Sequence, residues 1–161
     1  MRLIVACAAL MILVVVGAEA QDGATPAKDP VTDATIINSC GDRLAKMFAQ
    51  FGVPKDLSVK RGNTPDEDDV LCHYGAYGFR VRKKVIQICF FWSDWKEPIR
   101  GIKIGDSRED VVKVLGNAPI TVKDKNGVVT AYGYVLKDLD GQFYADFDKD
   151  GKVWQVEFGL K

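Results

Sequence analysis

Gly105–Pro119, GDSREDVVKVLGNAP, holds a full set of helix start and stop signals in one short run. Asp106 or Ser107 can accept from the first free backbone N–H groups, and Glu109 and Asp110 place negative charge in the positive first turn. Val111, Val112, Val114 and Leu115 recur at three- and four-residue spacings, an apolar stripe that needs a surface to cover. Gly116 supplies a stop and Pro119 forbids continuation. Behind the helix the period changes to two, over Ile120–Lys123, Val128–Leu136, Gln142–Phe147 and Lys152–Phe158. The separators Lys125-Asn126-Gly127, Asp138-Leu139-Asp140-Gly141 and Asp148-Lys149-Asp150-Gly151 are turn chemistry. One helix on a meander of about four strands is the expectation for this half.

The upstream half follows the same plan. Leu44, Met47, Phe48 and Phe51 form a helical stripe that Gly52 and Pro54 end, and Ile36, Ile37 and Cys40 extend the stripe back toward Asp33. Leu57-Ser58-Val59-Lys60 parallels Ile120-Thr121-Val122-Lys123. Lys84, Val85, Gln87 and Phe90 recur as Lys152, Val153, Gln155 and Phe158 at identical spacing. The order of matches predicts an α+β fold of two tandem modules, residues 33–94 and 95–161, each a helix or helix pair packed on a roughly four-stranded antiparallel meander.

Residues 1–20 read as a signal peptide: Arg2, an apolar run from Leu3 to Val16, and Ala18-Glu19-Ala20 as the cleavage site. The run is shorter than the ~20 residues a membrane anchor needs, and Cys7 precedes most of it, in the wrong place for lipid attachment. Residues 21–32, rich in Asp, Pro, Ala and Thr, read as a flexible tail. Arg2 and Glu19 leave together with the signal peptide, so the net charge stays at zero, and nothing in that balance attracts nucleic acid or an anionic membrane. The expected location is the periplasm or the outside of the cell.

Alternation assigns faces to the strands. Ile86, Ile88 and Phe90, with Trp154, Val156 and Phe158, are expected under the helices, as are Phe79, Val81, Phe143, Ala145 and Phe147. Gln87, Cys89, Gln155, Glu157, Tyr144 and Asp146 then fall on the open face, together with Tyr132 and Tyr134. Tyrosine on a solvated sheet face offers contact area at low entropic cost to a partner, and it also simply favours strands. At the junction of the halves, Trp92 and Trp95 can anchor a partner or pack the modules together.

Asp146-x-Asp148-x-Asp150-Gly151-(x)5-Glu157 matches the calcium-loop pattern of an EF-hand, with Val153 at the apolar position. Strand alternation on both sides and the absence of room for flanking helices favour a hairpin turn instead, leaving a weak calcium candidate. Past the signal peptide the cysteines are Cys40, Cys72 and Cys89, an odd number for an oxidising compartment, with three pairings available. Cys72 with Cys89 is the preferred pair, because Cys40 is placed on a helix face away from Cys89, although a plain meander would put these two strands out of bonding range. His73, the single histidine, neighbours Cys72 on a strand and so points to the other face, a poor nucleophile pair. No cofactor is expected and no catalytic constellation is visible.

Gly105-x-Ser107-(x)3-Val111-(x)3-Leu115-Gly116 with a following proline resembles the signature of the outer-membrane small protein A lipoproteins, and two such modules in tandem resemble the β-lactamase inhibitory proteins. The resemblance implies a non-enzymatic protein that presents a sheet face to another protein, either a soluble enzyme or an envelope component. Ala118 is an extra residue before the proline, and no lipid-attachment cysteine follows. The expected function is protein binding or inhibition through Tyr132, Tyr134, Tyr144, Gln87, Gln155, Trp92 and Trp95, with an envelope assembly factor or a weak calcium module as alternatives.

Overall fold

The computed structural model describes residues 31–160. The expected signal peptide and nearly all of the expected tail lie outside the described residues. Two short helices open the described residues, α1 (Asp33–Ile37) and α2 (Leu44–Phe51), followed by strands β1 (Asp56–Lys60), β2 (Asp69–His73), β3 (Tyr77–Arg82) and β4 (Val85–Phe91). After a connecting segment come α3 (Arg108–Leu115), β5 (Ile120–Lys123), β6 (Val129–Leu136), β7 (Gly141–Phe147) and β8 (Val153–Leu160).

Local signals place the elements. Ser107 caps α3 in a reciprocal box with Asp110, and Gly116, at φ 79°, turns the chain out after Leu115. Gly52, at φ 80°, ends α2 in the same way. Gly41, at φ 89°, separates α1 from α2, so of the helix or helix pair expected here the structure has the pair.

The two-module architecture is overturned. Among the described residues the strands form one continuous antiparallel sheet in the order β1-β2-β3-β4-β8-β7-β6-β5, with three short α-helices laid on it. The fourth strand of each half meets the other in the middle, from Ile88 opposite Gly159 to Phe91 opposite Val156. Two separate meanders would each leave that strand as a bare edge, and pairing the edges satisfies both rows of backbone groups. Helices of eight residues are also too short to cover a core each. Instead Met47, Phe79, Ile86, Phe91, Ile99, Ile102, Val111, Phe143, Val153, Val156 and Phe158 are all buried in one continuous core beneath the helices.

Three bulges decide which side chains reach that core. In β4 the residue Gln87 is skipped, with Arg80 opposite Ile88 but Val81 opposite Ile86. In β6 Thr130 is skipped, and in β8 Trp154. Each extra residue reverses the alternation beyond it. Ile88 and Phe90, expected inside, therefore lie on the open face beside Arg80 and Glu157, whereas Cys89, expected outside, packs under the helices opposite Phe79 and Phe158. Tyr132 and Tyr134, likewise expected outside, stand opposite Ala145 and Phe143 on the core side. Trp154, expected inside, is 47% exposed.

Candidate functional site

The face opposite the helices carries a ladder of aromatic and polar side chains that spans both halves of the sheet. Phe91 ends β4, and the turn after it sends the two tryptophans to opposite faces. Trp95 packs edge-on against Phe91 and Tyr77 in the core and is 8% exposed, so its ring is withdrawn from any partner. Trp92 lies over the open face, stacked on Phe90 at 5.8 Å and on His73 at 5.0 Å. It can lie so close because Gly78 has no side chain: a Cβ there would stand 2.5 Å from Trp92 Cη2. Arg80 covers the other side of this cluster, its guanidinium 5.3 Å from the Phe90 ring.

Trp92 joins the aromatic cluster to a pair of carboxylates. Its indole N–H donates to Gln155 Oε1 at 2.8 Å, and Gln155 Nε2 donates to Asp146 Oδ2 at 3.2 Å and to Glu157 Oε1 at 2.6 Å. One amide thus holds two half-buried carboxyl groups together. Burial pushes the Glu157 carboxyl above its usual range, and the charge of Asp146 adds to that while Arg80 and the Gln155 bond oppose it. Burial raises Asp146 as well, against the bond from Gln155. Beside Glu157 is a recess of about 140 Å³ lined by Ile88, Gln142, Tyr144, Glu157, Gly159 and Leu160. It has room for one side chain rather than for a drug-sized ligand, whose pockets run to several hundred Å³. Tyr144 borders it with its hydroxyl donating to Gln142 Oε1 at 2.9 Å.

The far end of the same face is basic. Lys60, Arg61 and Arg82 surround a shallow recess of about 430 Å³ with Glu67 and Asp69, and the buried Asp69 Oδ1 has no hydrogen-bond partner there. Gln87, the bulged residue of β4, is exposed and lines an adjoining hollow with Glu67, Arg82 and Lys83.

The expected binding residues therefore divide. Tyr144, Gln155 and Trp92 come together on the open face with Asp146 and Glu157, and Gln87 lies toward the basic end. Tyr134 is buried with its hydroxyl donating to Gly116 O at 3.0 Å, at the end of α3, and Tyr132 packs edge-on against Phe147 on the core side. Phe90 joins the open face unforeseen, because the Gln87 bulge inverts its side of β4, whereas Arg80 and His73 reach that face by plain alternation with Phe79, Val81 and Cys72 and are not among the expected binding residues.

The calcium pattern is spent on a hairpin turn. Asp148 Oδ1 accepts from the backbone of Asp150 and Lys152, both at 2.9 Å, while Asp146 and Glu157 point to Gln155, so the four carboxylates do not converge. Among the described residues no group of three or more His, Cys, Asp or Glu side chains is arranged to hold a metal ion. The preferred cysteine pair is also corrected. Cys72 and Cys89 both flank Phe79, one strand to either side, which separates them by roughly 10 Å against a limit of about 7 Å for a bridge. Cys40 Sγ instead lies 2.8 Å from Cys89 Sγ.

No protein-family model matches the chain, and no curated protein matches it. Solved structures of similar fold include two from Bacillus. One is an extracellular protein containing an SCP domain from Bacillus anthracis str. Ames, 15% identical, with a TM-score of 0.59 over 83% of this chain and 48% of that one. The other is a DUF4309 family protein from Bacillus subtilis subsp. subtilis str. 168, 17% identical, with a TM-score of 0.50 over 83% of this chain and 88% of that one. The chain thus spans about half the length of the Bacillus anthracis protein. Neither description names a β-lactamase inhibitory protein or a small protein A, and at these identities the likeness is one of fold alone.

Proposed function

We propose that this chain is an exported, non-catalytic binding protein whose open sheet face receives a segment of another protein, with a basic side chain of that partner seated against Glu157 and Asp146. The observation that carries this reading is the pair of half-buried carboxyls held by the single amide of Gln155 beside a recess for one side chain. A cation placed there relieves the repulsion and the desolvation that raise both carboxyls. Trp92, backed by the buried ring of Phe90, supplies flat apolar surface next to it, and Lys60 and Arg82 at the far end suit an acidic group on the same segment. Export is supported by the signal-peptide pattern of residues 1–20, and the Bacillus anthracis protein of similar fold is described as extracellular. The non-catalytic reading is supported by the opposed faces of Cys72 and His73 in β2.

The test is affinity capture from the envelope and secreted fractions of the source organism, run in parallel with the wild-type chain and a Trp92→Ala, Asp146→Ala, Glu157→Ala variant that keeps its far-UV circular dichroism. A protein captured by the wild type and lost by the variant supports the reading. Equal capture by both overturns it.

A further inference from the structure

Cys40 lies in the turn that follows α1, and Cys89 sits on the core side of β4, the strand that joins the two halves of the sheet. Their sulfurs are 2.8 Å apart, within about 0.8 Å of the ~2.05 Å of a formed disulfide. Cys89 is fully buried and its thiol donates to Ile36 O at 3.2 Å, so its sulfur already faces the end of α1 that leads into Cys40. Cys72 is equally buried but lies across Phe79 from Cys89.

We infer that Cys40 and Cys89 form a disulfide that clamps α1 to the central strand of the sheet, leaving Cys72 as a buried thiol. The inference does not depend on what the open face binds. The oxidant is an external disulfide, of the small-molecule or protein kind that maintains exported compartments. Cys40, the more exposed of the two, attacks as thiolate one sulfur of that disulfide, forms a mixed disulfide and expels one oxidant thiolate. Cys89 then attacks Cys40 Sγ and expels the other oxidant thiolate. Two protein thiols are oxidised, one external disulfide is reduced to two thiols, and the two protons lost by the cysteines pass to the departing thiolates. Burial and the neighbouring Cys40 push the Cys89 thiol well up, which fits it to the second step rather than the first.

The experiment incubates the full-length chain with oxidised and reduced glutathione, quenches it in acidic denaturant, alkylates free thiols with N-ethylmaleimide and maps the peptides by mass spectrometry. The expected result is a peptide pair joined through Cys40 and Cys89, with Cys72 carrying the maleimide. Alkylation of both Cys40 and Cys89, or a link from either to Cys72 or Cys7, overturns the inference. A second measurement compares thermal midpoints with and without a phosphine reductant. The midpoint falls by about 10 °C or more on reduction in the wild type and in Cys72→Ala, and does not change in Cys40→Ser. A wild-type midpoint that ignores the reductant overturns the clamp.

Discussion

Trp92 donates its indole N–H to Gln155 Oε1 at 2.8 Å, a bond between residues 63 positions apart that ties the turn after β4 to β8 across the centre of the sheet. It orients the Gln155 amide so that its nitrogen faces Asp146 and Glu157, and so the aromatic and acidic parts of the open face are set by one contact.

Replacing Trp92 by phenylalanine keeps a ring over Phe90 and removes the donor. Gln155 Oε1 is then left without its partner, at a cost of about 1 kcal/mol in urea unfolding. In a double-mutant cycle with Gln155→Ala the two changes are non-additive by about 0.5–1.5 kcal/mol. Additivity within error would show that the bond contributes nothing.

Glu157 and Asp146 give stability a defined slope with pH. Both carboxyls are raised in the folded chain, so between the ordinary carboxylate range and their raised values the folded protein holds protons that the unfolded chain has released. Their contribution is therefore greatest below that window and falls as pH climbs through it. Glu157→Gln removes one charge of the pair. It is expected to raise stability at pH 7, by less than about 1 kcal/mol because the groups are only half-buried, and to flatten the slope. Urea midpoints measured from pH 4 to pH 8 check both the sign and the flattening.

Gly78→Ala tests the seat of Trp92. The added Cβ would meet Trp92 Cη2 at 2.5 Å and the Cys72 carbonyl oxygen at 2.6 Å, and the second of these is backbone in the neighbouring strand. The expected cost is about 1–3 kcal/mol, accompanied by displacement of the ring. Loss of the Trp92 indole shift from its wild-type position in a proton–nitrogen NMR spectrum reports the displacement, and an unmoved resonance would refute it.

Ser107→Ala tests the cap of α3. The hydroxyl accepts from Asp110 N at 3.2 Å and donates to Asp110 Oδ2 at 2.7 Å. Removing it should cost about 1 kcal/mol. The side-chain and backbone bonds from Ser107 hold the Asp110 carboxyl below its ordinary range, and with the hydroxyl gone an NMR titration of Asp110 moves back up toward that range.

Much of the local structure was legible because its causes are local. Ser107 and Gly116 bound α3, the turn residues separate β5 to β8, and each of these depends on neighbours within a few positions. Part of the open face was legible for the same reason: Tyr144 and Asp146 alternate with Phe143, Ala145 and Phe147 along the unbulged part of β7, and Gln155 and Glu157 alternate with Val156 and Phe158 beyond the bulge in β8. Tyr132 and Tyr134 were misplaced because one skipped residue, Thr130, inverts every side chain after it, and no propensity marks where such a bulge will fall.

The amino-acid sequence by itself determined where the chain turns, where α3 starts and stops, and which short segments are extended, since hydrogen-bond capping and φ preference act between near neighbours. Only the tertiary structure decided that β4 and β8 pair into one sheet, that Trp92 faces the carboxylates while Trp95 is buried, and that Cys40 meets Cys89. Those outcomes depend on edge pairing, bulge register and a shared core, and each is settled by contacts between residues tens of positions apart, which compete across the whole chain rather than within one segment.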